Sequence, residues 1–122
     1  MPSVAERLAA LPESDRQAAL AQLSDEEAGA LLRDWRGFLA RPEQTMPAGD
    51  WDIWLVLAGR GFGKTRTGAE AVREEVEAGR SERIGLIAET AADARDVMVA
   101  ELLRIFPPDR RPIYKPSLRC VE

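Results

Sequence analysis

The chemistry available to this chain is concentrated in eight residues. Ala58-Gly59-Arg60-Gly61-Phe62-Gly63-Lys64-Thr65 comes close to G-x-x-x-x-G-K-[ST], the pattern of a loop that cradles phosphate groups. Glycines at 59, 61 and 63 permit positive φ and close backbone approach, so successive N–H groups can turn inward as an anion nest. A helix opening at Lys64 adds about half a positive charge at the same place. Lys64 is spaced to reach the β- and γ-phosphates of a nucleoside triphosphate, and the Thr65 hydroxyl can ligate Mg²⁺. Ala58 stands where the pattern has its first glycine; alanine is small enough for a tight exit at negative φ. Arg60 has two readings, an arginine folded over the γ-phosphate to stabilise developing charge or an exposed side chain on the outer face of the loop.

Composition closes off other chemistries. The sequence has 122 residues, no histidine and a single cysteine, Cys120. Ser-His-Asp triads, histidine metal sites, disulfides and Cys-x-x-Cys redox pairs are therefore excluded, and Cys120 reads as a small apolar packing residue. Catalysis would have to rest on carboxylates, hydroxyls, Lys, Arg and the backbone. The net charge of −4 is unevenly spread: residues 1–52 carry five Arg and ten acids, and residues 53–122 twelve Lys or Arg and eleven acids. Arg104, Arg110, Arg111, Lys115 and Arg119 make the end of the chain locally basic, a solvated surface or an edge that meets phosphate. No apolar run approaches the roughly 20 residues of a membrane span, and no basic-then-apolar leader opens the chain, so a cytoplasmic protein is expected.

The elements that would position the loop follow from periodicity. Ser3-Val4-Ala5-Glu6 and Ser24-Asp25-Glu26-Glu27 are capping-box patterns, and residues 3–40 read as three helices, the third carrying Ala28, Leu31, Leu32, Trp35 and Leu39 on one stripe. Residues 41–50, with Pro42, Pro47 and Gly49, read as a linker. Ile53–Ala58 is a continuous apolar run, the mark of a strand buried on both faces, and Ile84–Ala88 is a second. Between them a helix is predicted over Lys64–Ala78, closed by Gly79. Thr90 caps another helix, with Ala94, Met98, Leu102 and Ile105 on one face, and Pro107-Pro108 stops it. Strand, helix, strand, helix predicts a parallel βαβα unit. The expected fold is thus α/β: a P-loop NTPase portion over 53–122, a 42–52 linker, and a helical N-terminal arm over 1–41.

The stretch from Trp51 through Glu70, Trp51-Asp52-x-Trp54-Leu55-Val56-Leu57-Ala58 followed by the loop and Arg66-Thr67-Gly68-Ala69-Glu70, resembles the start of the ATPase domain in the large terminase subunit of tailed phages and phage-like gene transfer agents. Ile84–Met98 is similar to that family's second strand and following helix, and Arg111-Pro112-x-Tyr114-x-Pro116-Ser117 resembles the stretch beyond. The resemblance covers about residues 50–120. It implies the ATP-binding portion of a helicase-like DNA-packaging motor, a hydrolase of virion assembly that drives double-stranded DNA into a procapsid. Lys64 and Thr65 would hold Mg-ATP, Arg60 would act on the γ-phosphate as the catalytic residue, and Ala58 through Thr65 would form the binding loop. The portal protein and the small terminase subunit would be partners of an oligomeric ring. Family members often carry proline where this chain has Glu89, which lies 25 residues beyond Lys64 and reads as the end of the second strand rather than as a catalytic base. The apolar strand ending in Asp-Glu that completes such ATPases is absent, as is the acidic nuclease cluster, so the chain is expected to be a truncated motor, inactive by itself. Two alternatives remain open: another P-loop enzyme, such as a helicase or small-molecule kinase, and a non-catalytic remnant acting through its helical arm.

Overall fold

The computed structural model describes residues 4–122. It divides into two compact units, one running through Thr45 and one spanning Met46–Glu122.

The first unit holds three short helices: α1 (Val4–Ala9), α2 (Glu13–Ala21) and α3 (Asp25–Leu31). The capping box predicted from Ser3 to Glu6 begins outside the described residues. The one at Ser24 forms: its hydroxyl accepts from Glu27 N, while the Glu27 carboxylate accepts from Ser24 N at 2.9 Å. That pairing holds the Glu27 carboxyl below its ordinary range, chiefly through the backbone N–H of Ser24. Arg16 closes the end of α1 by donating to the carbonyls of Leu8 and Leu11. The single long stripe expected through Leu39 is broken. Asp34 captures Gly37 N at 2.8 Å and starts a separate wide turn over Trp35–Leu39, because a short acid next to an unsatisfied N–H competes with helix continuation. This turn packs against α1 with Trp35 buried.

The second unit contains α4 (Lys64–Glu77). It then runs through α5 (Ala91–Asp93), a wide helical turn over Ala94–Val99 and α6 (Ala100–Ile105). A hairpin follows, pairing β1 (Tyr114–Lys115) antiparallel with β2 (Cys120–Val121). α4 packs on α6 around Ala69, Leu102 and Ile105, with Val72, Leu86, Phe106 and Val121 against them. Gly79, at φ 67°, turns the chain off the end of α4 as its position in the sequence predicts. The wide turn in the last helix contains an extra residue, which moves the face by one position. Val99 is therefore buried, while the expected Met98 is only half-buried.

The parallel βαβα core predicted from the sequence does not form, and the α/β P-loop assignment is corrected by this. The chain is mostly helical, and the only sheet among the described residues is the β1–β2 hairpin. Segments 53–58 and 84–88 make no backbone-to-backbone hydrogen bonds among the described residues. They approach closely enough that Trp54, Ile84 and Gly85 line one cavity of about 500 Å³, yet they do not pair. The physical reason lies in what a parallel pair requires. Parallel pairing is the weaker ladder per residue and is found where both faces of a sheet are covered, and two strands alone are marginal in water. Here Ile53, Leu55, Leu57 and Ile87 are 84%, 70%, 86% and 88% exposed. The hairpin succeeds because its partners are joined by a four-residue turn, with Leu118 N donating to Lys115 O and Arg119 at φ 50°. No helix among the described residues is long and apolar enough to cross a membrane.

Candidate functional site

The loop between Ala58 and α4 takes a definite shape without a sheet behind it. Gly61 and Gly63 have φ of 84° and 90°, and Gly63 is the left-handed N-cap of α4. Only glycine adopts these angles without strain. Gly59 does not need that freedom, and a Cβ there, as at Gly61, would meet nothing within 4 Å, so sterics do not demand glycine at 59. Ala58 is accommodated at negative φ, as its small side chain suggests. Phe62, half-buried, donates its N–H back to Gly59 O at 3.4 Å.

Lys64 closes the loop on itself. Its ammonium donates to the carbonyl oxygens of Ala58 at 2.8 Å and Gly59 at 2.9 Å. The ammonium is thus held on the loop's own carbonyls while the side chain stays exposed. The first backbone bond of α4 runs from Thr67 N to Gly63 O at 2.9 Å, and the amides of Gly61, Gly63, Lys64 and Thr65 make no backbone hydrogen bond. Unbonded amides at the start of a helix are the kind of donor an anion can use, and Lys64 brings one ammonium to the same loop. Thr65, in the first turn of α4, is exposed. Its hydroxyl is one fitting ligand for Mg²⁺, whose other ligands would be phosphate oxygens and water, as this cation commonly uses. No group of three or more His, Cys, Asp or Glu side chains capable of holding a metal exists among the described residues.

The remaining expected residues stand apart from this cradle in their contacts. Arg60 is exposed and makes no hydrogen bond or ion pair with the described chain. Glu89 is exposed at the end of segment 84–88. A cavity of about 1530 Å³, lined by Leu86, Leu102, Phe106, Arg111, Tyr114 and others, includes none of residues 58–65.

One cluster escaped the sequence reading. Glu70, on α4, is fully buried and is bracketed by two arginines of the same helix: Arg66 Nε and Nη2 lie 2.8 and 2.6 Å from Oε1, and Arg73 Nη2 lies 2.7 Å from Oε2. On α6, Glu101 pairs with Arg104 at 2.6 Å. Its carboxyl is held below the usual range by Arg104 first and to a lesser degree by Arg66, opposed by partial burial. Thr67, between the arginines, is also buried, and its hydroxyl finds no hydrogen-bond partner among the described residues. The signal was present as R-x-x-x-E-x-x-R spacing, which sets all three charges on one helix face. Compared with known families, curated proteins and solved structures, the chain matches none.

Proposed function

We propose that this chain is the nucleotide-binding portion of a DNA-packaging motor of the terminase kind, with Ala58–Thr65 receiving the phosphates of Mg-ATP. The observation that carries the reading is the Lys64 ammonium drawn over the carbonyls of Ala58 and Gly59, beside left-handed glycines at 61 and 63 and the open end of α4. An ammonium in this position exchanges two neutral carbonyls for a polyanion, a stronger charge-assisted contact. Thr65 would hold Mg²⁺, and Mg-ATP would bring the transferable γ-phosphoryl group. Double-stranded DNA, a portal and a small subunit are the partners that go with this reading. The missing parallel sheet does not remove the loop geometry, which is set by local backbone and one side chain.

The test is calorimetric titration of the purified chain with Mg-ATP. Saturable binding with a dissociation constant in the micromolar-to-millimolar range, about −8 to −4 kcal/mol, is the expected result. Absence of heat at millimolar nucleotide would remove the assignment.

Arg60 is proposed to act on the γ-phosphate in a hydrolysing assembly, since it is exposed at the loop and has no competing acid among the described residues. Arg60→Ala should lower turnover there by on the order of 10³ while leaving nucleotide affinity nearly unchanged. Equal turnover in the variant would leave Arg60 as a surface side chain.

A further inference from the structure

The Arg66–Glu70 contact runs against local preference in two ways. Side chains on an α-helix lean toward its N-terminus, so Arg66, third in α4, would by itself lean toward the phosphate cradle. An acid four residues after a base is also the weaker order for an i,i+4 pair. Nevertheless the Arg66 guanidinium is turned toward the C-terminus and placed on Glu70 through Nε and Nη2. The carboxylate that holds it is fully buried and fixed from its other side by Arg73.

We infer that Glu70 is a positioning residue that draws Arg66 away from the phosphate cradle, so that a polyphosphate meets Lys64 and the loop backbone without a second first-turn cation. This rests on the phosphate-binding reading of residues 58–65. Arg66 can serve two anions that bear on the cradle: Glu70, which it takes in the structure, and a polyphosphate at the start of its own helix; its charge also acts on Glu101 of α6. Which one it holds sets how tightly the cradle retains its ligand. A tethered Arg66 favours release, and a freed Arg66 would retain the anion longer and make binding steeper in salt.

The probe is inorganic tripolyphosphate with Mg²⁺, which reports phosphate contacts without a base or ribose. Affinity is measured by calorimetry at two salt concentrations, and folding is checked by circular dichroism. Glu70→Gln should bind tripolyphosphate about tenfold tighter than the unaltered chain, the worth of one guanidinium–phosphate contact, with a steeper salt dependence. Adding Arg66→Met to that variant should return both quantities to their starting values. Arg66→Met alone should change affinity by less than about twofold, because Arg66 is already held elsewhere. Should Glu70→Gln fail to fold, Glu70→Asp keeps a negative charge for the buried Arg73 but shortens the reach to both arginines. It should tighten binding in the same direction by a smaller factor. Weaker or unchanged binding in the folded Glu70 variants, or about a tenfold loss in Arg66→Met, overturns the inference while leaving the cradle intact. No binding by the unaltered chain overturns the phosphate reading itself and this inference with it.

Discussion

Lys64→Ala should weaken Mg-ATP binding by about a hundredfold or more, the value of a charged contact of about 3 kcal/mol. The variant loses the one ammonium placed across the loop. It also strips the carbonyls of Ala58 and Gly59 of their donor, so the empty loop is less well held before any ligand arrives. The fold should hardly notice, because Lys64 is exposed and contributes nothing to the packing of α4 on α6. Thermal unfolding of the variant within about 0.5 kcal/mol of the parent, together with lost binding, is the expected pair of results. Lys64→Arg separates charge from shape: a guanidinium keeps the charge but not the compact point geometry, and should recover only part of the affinity. Unchanged binding in Lys64→Ala would show that the nest of backbone amides, or another site, carries the ligand.

What could be read from the sequence divides along physical lines. Features set by a few neighbouring residues were legible: the Ser24–Glu27 capping box, the start of α4 after Gly63, its end at Gly79, and the positive-φ turns of the loop. Each depends on a backbone angle or one hydrogen bond within a single turn of chain. The two strands were not legible in the same way. Ile53–Ala58 and Ile84–Ala88 have the composition of buried strands, but a strand exists only when a partner completes its ladder and covers its faces. Apolarity stated what those segments would want, not what they would find. The broken third helix is a similar case on a smaller scale, where Asp34 offered its side chain to Gly37 N. In the last helix, a wide turn displaced the apolar face from Met98 to Val99, and no spacing rule announces such an insertion.

The candidate site shows the same division. Gly61 and Gly63 take positive φ and α4 opens at Lys64 because each feature is local backbone geometry. Glu70 was overlooked because the reading of α4 followed its apolar positions, Ala69, Val72 and Val76. Of these Ala69 is buried, Val72 half-buried and Val76 exposed, so the helix buries an acid and one of its two arginines where a hydrophobic stripe was expected. An acid between two arginines at i−4 and i+3 can be desolvated when each oxygen has its own cation.

Glu70→Ala should therefore be among the most destabilising single changes available in the second unit, by about 3–5 kcal/mol. The substitution removes the anion from Arg66 and Arg73, and Arg73 is nearly as buried as the acid, at 9% exposure. A cation left at that depth without its partner must move toward solvent or carry water inward. Truncation also leaves a cavity where the fully buried Glu70 side chain stood. The contrasting variant replaces all three charges at once: Arg66→Met, Glu70→Leu and Arg73→Met. A buried ionic triad exchanged for apolar side chains of similar volume is often neutral or stabilising, so the triple variant should recover most of the loss. Chemical denaturation of the three proteins reads the difference directly. A mild effect of Glu70→Ala, below about 1 kcal/mol, would mean that the arginines find other partners easily and that the triad does not hold α4 in place. If the triple variant is instead the least stable of the three, the charges themselves, rather than the volume they fill, specify how α4 meets α6.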